Sequence, residues 1–285
     1  MRTRSVQQVI QSMPTSDGGG VKLRRSLGQS QALRLDPFLM LDEFSSMNPD
    51  DYIAGFPNHP HRGFETVTYI LDGHMLHRDH LGNEGHLNSG GVQWMSAGRG
   101  IIHSEMPQQD SGRLRGFQLW VHLPASEKMK PAAYRDIQAE DIPVLNLTEG
   151  RQVKVIAGQA NIDGKVTEGS IQYLSTELLF LDVRLRAGGS FIHPLVTDHN
   201  AFVYPYEGQC DIGSLLKIHP LESQSVGVLT QGDCVEIRAG GEGVAFLLLA
   251  GKPLKEPIVQ YGPFVMNTRE EIEQAIADYN NGELV

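Results

Sequence analysis

The sequence predicts an all-β protein of two related domains, followed by a short α-helix at the C-terminus. Glycine-containing turn signals recur at intervals of about ten residues through the middle of the chain, which is typical of β-sandwiches and β-barrels. A length of 285 residues fits two domains, or one large β domain. A faint internal repeat between the two halves favours the first of these.

The first elements in chain order are a hairpin and two further strands. Ser5 to Gln11 and Gly20 to Arg25 flank the turn sequence Asp-Gly-Gly-Gly at residues 17–20, so they are predicted to pair as a hairpin. Thr66 to Leu71 is rich in β-branched and aromatic residues and stops at an Asp-Gly pair. Gly116 to Leu123 alternates apolar and polar side chains until a proline follows it, which indicates a strand.

The last element is a helix predicted over residues 269–280. Thr268 is a suitable N-cap, and Glu271 three residues later completes a capping box. Ile272, with an alanine and an isoleucine after it, recurs at helical spacing, and an Asn-Asn-Gly sequence ends the helix at Gly282.

The internal repeat suggests where the domains divide. Thr68-Tyr69 ahead of an acidic-Gly turn resembles Val203-Tyr204 ahead of a similar turn, at an offset of 203 − 68 = 135 residues. We therefore expect an N-terminal barrel over residues 1–130, a linker over 131–150 and a C-terminal barrel over 151–285.

Charge and composition exclude several classes of function. The net charge is −10 and the densest cationic stretch, Lys22 to Arg25, has four residues, so direct binding of nucleic acid or of a membrane surface is not expected. The longest apolar run, Val244 to Ala250, is far too short to span a bilayer, and the N-terminus lacks the apolar stretch of a secretory signal. Cys210 and Cys234 are read as free, buried thiols of a cytoplasmic protein.

Histidine is the most informative residue type in this chain. Eight of the eleven histidines lie between His59 and His122. Two sequences, His59-Pro-His61 and His103-Ser-Glu105, place two candidate metal ligands two residues apart, on one face of a strand. If the two strands meet, three imidazoles and one carboxylate converge, a set that suits iron, zinc, nickel or copper and, through the carboxylate, Fe(II) or Mn(II).

The histidines also allow interpretations that involve no metal. A single His-x-His pair is more often part of a surface strand than of a metal site, and it is the second pair that favours a metal. Four other histidines follow a turn in polar surroundings and are interpreted as solvated or hydrogen-bonding groups: His74, His77, His80 and His86.

These motifs carry a resemblance to the pirin family of the cupin superfamily. The sequence from His59 to Tyr69 resembles the first cupin motif as pirins have it, and so do Gly98 to Glu105 and Gly116 to Val121. Gly262 to Thr268 is similar to the closing segment of the same family. The likeness runs over nearly the whole chain, from the hairpin at Pro14–Leu27 to the terminal helix.

The resemblance implies two cupin barrels packed together, with one divalent metal ion in the N-terminal barrel. Its ligands would be His59, His61, His103 and Glu105, and the metal would be Fe(II), with Mn, Ni, Zn and Cu as alternatives. Glu65 stands where general cupins have a ligand, but pirins take the carboxylate from the His-x-Glu pair. Glu65 is therefore expected near the ligands, hydrogen-bonded to one of them or to Arg62.

The resemblance also implies an activity. Several pirins cleave the flavonol quercetin as 2,3-dioxygenases, so a flavonol-like aromatic substrate and O₂ are expected, with Glu105 taking a proton from the substrate's 3-hydroxyl group. Residues expected around the ligands or the pocket are Phe56, Arg62, Glu65, Gln118 and Trp120.

Two other functions remain open at this point. Pirins of animals act as redox-dependent cofactors of transcription-factor complexes, and some bacterial pirins modulate metabolic enzymes, so the chain could bind a protein partner through its iron state. It could also be a cupin that only folds around its metal. A monomer is expected.

The C-terminal barrel is expected to hold no metal. At the repeat positions that correspond to the ligands, the second half carries residues that cannot ligate: Pro194, Val196, Ala245 and Leu247.

Overall fold

The computed structural model describes residues 2–172 and 174–285, which form 24 β-strands and one α-helix. The first twelve strands are β1 Val6–Gln11, β2 Met13–Asp17, β3 Val21–Arg25, β4 Phe38–Ser46, β5 Phe56–His61, β6 Phe64–Asp72, β7 His74–Asp79, β8 Glu84–Asn88, β9 Val92–Ser96, β10 Ile101–Pro107, β11 Leu114–His122 and β12 Ala133–Ile137. The remaining elements are β13 Val144–Asn146, β14 Gln152–Ala157, β15 Gln159–Ile162, β16 Lys165–Glu168, β17 Leu179–Leu185, β18 Ser190–Pro194, β19 Asn200–Ile212, β20 His219–Glu222, β21 Ser225–Leu229, β22 Cys234–Gly251, β23 Val259–Tyr261, β24 Phe264–Met266 and α1 Arg269–Asn281. The predicted all-β class with one C-terminal helix is confirmed.

The chain folds into two compact units, each made of segments that are distant in sequence. One unit, called here the N-terminal barrel, comprises Met13–Arg34, Phe38–Ala139 and Leu254–Val285. The other, the C-terminal barrel, comprises the residues up to Ser12 together with Leu35–Pro37 and Glu140–Pro253.

Two sheets build the N-terminal barrel. A seven-stranded sheet has the order β12-β9-β6-β11-β4-β3-β2, and a four-stranded sheet has the order β5-β10-β7-β8. Ile70, Phe44 and Leu87 are among the side chains of its buried core. A second buried cluster, which includes Phe64 and Trp120, borders the candidate site.

The C-terminal barrel centres on a nine-stranded sheet with the path β1-β21-β19-β22-β17-β14-β13, to which β18 and β20 pair at the side. Its interior is filled with apolar side chains such as Val153, Phe191, Val203 and Phe246, all fully buried. Closely packed apolar interiors of this kind stabilise a barrel without leaving polar groups to solvate.

The N-terminal hairpin differs from the predicted one. The Asp-Gly-Gly-Gly turn joins β2 to β3, with Asp17 opposite Val21, because a tight turn pairs the residues that immediately flank it. The strand predicted at Ser5–Gln11 does form, as β1, but it pairs with β21 of the C-terminal barrel. The prediction that it pairs with Gly20–Arg25 is therefore wrong.

The boundaries of the two units also differ from the predicted domain boundaries at residues 130 and 151. Part of the predicted linker forms β12, which pairs with β9 in the N-terminal barrel. The residues up to Ser12 belong to the C-terminal barrel, and the residues from Leu254 onward belong to the N-terminal barrel. This exchange of the two chain ends results from hydrogen bonds between strands that are far apart in sequence. Local composition therefore does not predict it.

Helix α1 has the predicted caps. Thr268 accepts a hydrogen bond from the Glu271 backbone N–H, Glu271 closes the capping box, and Gly282 ends the helix with φ of 74°. Ile272 and Ala275 bury their side chains against the β23–β24 hairpin.

Two further expectations concern cysteines and membranes. Cys210 and Cys234 are free and buried, as predicted. Among the described residues, we find no helix with the length and apolarity required to cross a bilayer.

Candidate metal centre

Three histidines meet where β5 pairs with β10 in the N-terminal barrel. His59 and His61 lie two residues apart on β5, so both side chains point to the same face of the sheet. His103 on β10 lies directly opposite His59. The local sequence therefore presents two imidazoles, and the antiparallel register supplies the third.

The geometry of this group fits one metal ion. Each of the three rings offers a nitrogen, and these nitrogens all lie within 4.8 Å of one another. The ring centroids of His59 and His103 are 4.4 Å apart, and those of His61 and His103 are 4.9 Å apart. His61 and His103 are almost fully buried, while His59 is half-buried.

The electrostatics of the group keep the imidazoles of His61 and His103 neutral. Burial, and then the neighbouring His59, lower the pKa of His61 well below its usual range. The pKa of His103 is also well below its usual range, chiefly because of burial and then because of His61 and His59. Nδ1 of His61 and Nε2 of His103 are buried and have no hydrogen-bond partner in the described part of the chain. Neutral imidazoles with free nitrogen lone pairs are what a divalent transition metal requires.

Glu105 lies on β10, as His103 does, but it is outside the three-histidine group that the described residues form. Thr68 Oγ1 donates a 2.9 Å hydrogen bond to Oε1 of Glu105, and Gln118 Nε2 donates a 3.0 Å bond to Oε2. A register shift between His103 and Glu105 places Glu105 opposite Phe56. The sequence does not indicate Thr68 as a site residue, because it lies on β6 of the seven-stranded sheet and Glu105 lies on β10 of the four-stranded sheet. Only the tertiary fold brings the two side chains together.

The sequence predicts that His77, like the other histidines in polar surroundings, is a solvated or hydrogen-bonding group. It is buried, and its Nε2 lies 2.9 Å from Nδ1 of His103. It sits on β7 directly opposite Glu105 of β10. The available signal was the apolar pair Met75-Leu76 just before it, which indicates burial rather than exposure.

The remaining three of those histidines agree with the interpretation. His74 and His86 are hydrogen-bonded to each other through Nε2 and Nδ1 at 2.8 Å, at the surface of the barrel. His80 is exposed, and its Nδ1 accepts a hydrogen bond from the Ile102 backbone N–H.

A cavity of about 570 Å³ opens beside the histidines. Its lining includes the predicted pocket residues Phe56, Gln118 and Trp120 together with His59 and His61. This volume lies in the range of sites for small organic molecules, and the mixture of aromatic walls with a few polar groups is typical of them.

At the cavity wall, the single guanidinium group of Arg25 is paired with two carboxylates. Arg25 donates two hydrogen bonds to the Asp42 carboxylate, at 2.8 and 2.7 Å. It donates a third, at 2.9 Å, to Asp17, which also lines the cavity. The wall therefore suits an uncharged ligand better than an anion.

Arg62 is directed away from the histidines. Its Nη1 donates to Asp278 of α1 at 2.6 Å, Nη2 donates to the Leu284 carbonyl oxygen at 3.4 Å, and Nε donates to the Arg99 carbonyl oxygen. Its guanidinium group is thus used to hold the C-terminal segment.

In the described structure, Glu65 forms neither of the expected hydrogen bonds, to a ligand histidine or to Arg62. It lies opposite Ser96 of β9 and Val121 of β11. Cross-strand neighbours share a face and successive residues alternate, so Glu65 points away from the face of β6 that carries Thr68. Burial raises the pKa of Glu65 to about 7.

Comparisons with known proteins agree with this arrangement. Residues 20–121 match the Pirin family model, and residues 180–285 match that of the Pirin C-terminal cupin domain. A Pseudomonas aeruginosa protein named "Putative quercetin 2,3-dioxygenase" is 51% identical over 99% of each chain. Human "Pirin" is 42% identical over 98% of this chain and 93% of its own.

A solved structure shows the same fold. The crystal structure of "Quercetin 2,3-dioxygenase" from Acinetobacter baumannii aligns with a TM-score of 0.90 and 33% identity, covering 99% of this chain and 98% of that one. Both matched domains, the cluster of histidines and these full-length relatives lead to one conclusion. The chain belongs to the pirin family.

Proposed function

We propose that the chain is a metal-dependent dioxygenase that cleaves flavonols of the quercetin type with O₂. The observation that carries the proposal is the meeting of three buried or half-buried imidazoles, two of which, His59 and His61, line a cavity with aromatic walls. The names of the Pseudomonas relative and of the Acinetobacter structure support the choice of substrate.

The residues at the centre fit a divalent transition metal ion. His59, His61 and His103 would hold it, with Glu105 as the fourth ligand, and the family resemblance favours Fe(II). The free, buried nitrogens of His61 and His103 are the structural basis of this assignment. When bound, such an ion lowers the pKa of a coordinated hydroxyl group and brings the organic substrate and O₂ together.

Glu105 is also proposed as the base that removes the proton of the substrate's 3-hydroxyl group. Thr68 and Gln118 each donate a hydrogen bond to its carboxylate. These two hydrogen bonds fix the direction in which the carboxylate points.

The cavity walls bind and orient the substrate. Phe56 and Trp120 offer flat apolar surfaces to an aromatic ring system, and the Trp120 ring lies 5.4 Å from that of His61, edge to face. Because the one guanidinium group of Arg25 is already paired with two carboxylates, the cavity is suited to a neutral polyphenol rather than to an anion.

The first experiment measures metal and activity on one sample. The protein is purified without added metal, its elements are quantified, and the same sample is assayed aerobically with quercetin by loss of flavonol absorbance. We expect about one transition metal ion per chain and iron-dependent turnover. The double variant His59→Ala/His103→Ala should lose the metal, whereas the surface control His74→Ala should keep it.

Two results would contradict the proposal. Stoichiometric metal in the double variant would place the site elsewhere in the chain. An iron-loaded wild type with negligible flavonol turnover, together with binding of a protein partner that follows the oxidation state of iron, would favour the regulatory alternative.

A second experiment tests the role of Glu105. In Glu105→Gln the amide oxygen can still ligate, but it is a far weaker base. We expect turnover to fall by about 100-fold or more, while metal content falls much less. Equal losses of turnover and metal would show that Glu105 acts as a ligand alone.

A further inference from the structure

The hydrogen bond between His77 and His103 determines which nitrogen of His103 is free. Nδ1 of His103 is engaged by Nε2 of His77 at 2.9 Å. Nε2 of His103 is buried without a partner among the described residues. His103 can therefore offer a metal only its Nε2.

A neutral imidazole carries one proton, and this constrains both rings. If Nε2 of His103 is to offer a lone pair, the proton must sit on Nδ1 of His103. That N–H then donates to Nε2 of His77, which must accept. The proton of His77 is consequently placed on its own Nδ1.

We propose that His77 is a positioning residue that holds His103 in its Nδ1–H tautomer and fixes the orientation of its ring toward the metal. This inference rests on the proposed metal centre. Partners that accept a hydrogen bond from the second nitrogen of a ligating histidine raise the basicity of the ligand and its affinity for metal.

Packing alone does not account for a histidine at position 77. Its Nδ1 is buried and has no hydrogen-bond partner in the described part of the chain, and an unsatisfied buried polar group costs stability. The ring lies 5.1 Å from that of Tyr134, in a place where an apolar side chain would carry no such cost. A buried histidine at position 77 is explained if its ring accepts the hydrogen bond of His103.

The same strand provides a matched control. His74, three residues earlier on β7, also forms a histidine–histidine hydrogen bond, to His86 at 2.8 Å. That pair lies at the surface, outside the three-histidine group. Replacing His74 removes the same kind of bond without touching His103.

The experiment compares the wild type with His77→Leu, His77→Gln and His74→Leu in the 285-residue chain. Affinity for Co(II) is measured by competition with a chelator, and the Co(II) absorption spectrum is recorded. We expect His77→Leu to bind Co(II) about 10–100-fold more weakly, with an altered spectrum. His77→Gln should recover most of the affinity because its amide oxygen can accept the proton of His103, and His74→Leu should match the wild type.

A direct readout of the tautomer does not depend on any variant folding. In Zn(II)-loaded wild type labelled with ¹⁵N-histidine, we expect long-range NMR correlations to show His77 protonated at Nδ1 and His103 protonated at Nδ1. Protonation of His77 at Nε2 would overturn the proposal.

Other outcomes separate this inference from the proposed function. If the wild type binds Co(II) tightly and His77→Leu binds it equally well, the role of His77 is overturned and the metal centre is unaffected. If His77→Leu and His77→Gln weaken Co(II) binding equally, the role of His77 is also overturned, because restoring a hydrogen-bond acceptor for His103 would then make no difference. A wild type that takes up neither Co(II) nor Zn(II) overturns the metal centre and the inference together.

Discussion

At the scale of single residues, the buried carboxyl group of Glu65 makes the stability of the N-terminal barrel depend on pH. Burial raises its pKa from 4.5 to about 7. Between these values the folded chain keeps a proton that the unfolded chain has lost. The free energy of unfolding therefore falls as the pH rises through this window, and the contribution of Glu65 is fully present only below about pH 4.5.

Glu65→Gln is expected to remove this dependence, because the amide is neutral at every pH and similar in shape. The measurement is urea unfolding of wild type and variant at pH 5 and pH 8, with the exposed Glu140→Gln as control. The variant should lose less stability than the wild type between the two values. An identical loss in both would show that Glu65 titrates normally in the folded protein.

At the scale of elements, the turn between β5 and β6 is held against the C-terminal segment. Gly63 has φ of 85°, and a Cβ atom there would collide with the Val265 carbonyl oxygen. Lys128 Nζ donates to the carbonyl oxygens of Gly63 and Val265, at 2.6 and 2.9 Å. The turn that follows His61 thus depends on backbone contacts that a side chain would break.

Gly63→Ala is expected to destabilise the protein more than Gly82→Ala does. Gly82 has φ of 82° and open space around its Cβ position, so its substitution costs the backbone strain alone, about 1–2 kcal/mol. The collision at Gly63 should add about 1–3 kcal/mol and reduce metal content. Equal unfolding free energies for the two variants would mean that the turn adjusts without cost.

At the scale of the whole molecule, the last residues of the chain belong to the barrel that carries the candidate metal centre. Asp278 of α1 pairs with Arg62, which directly follows His61. Leu284 accepts a hydrogen bond from Arg62 and lies against Gly100, close to His103 in sequence. The C-terminal segment therefore supports the ends of both ligand strands.

Deletion of residues 268–285 is expected to lower both the melting temperature and the metal content, although the ligands lie far away in sequence. Asp278→Asn should have a smaller effect in the same direction, because Arg62 would lose its charged partner but keep its two carbonyl acceptors. The control is Glu273→Gln, which breaks the exposed pair with Arg269 on the same helix. Unchanged metal content in the deletion would show that the ligand strands hold their geometry alone.

The sequence is sufficient to predict the class of the fold, the capped helix α1 and the placement of His59 and His61 on one face of a strand. Each of these depends on residues that are close together in the chain. Caps and turns are recognised within four residues, and the spacing of His59 and His61 places both on one face of a strand wherever that strand lies. The family motifs are also continuous stretches, so they too could be read without coordinates.

The pairing of the strands, and with it the surroundings of the site, is visible only in the folded structure. The exchange of the chain ends between barrels, the hydrogen bonds of Thr68 and Gln118 to Glu105, and the contact of His77 with His103 all join residues on different strands. Arg62 and Glu65 differ from expectation for the same reason: adjacent residues alternate in direction, and the neighbours on each face come from distant parts of the chain. Pairing between strands depends on hydrogen bonding and burial over the whole barrel, which no local pattern of residues encodes.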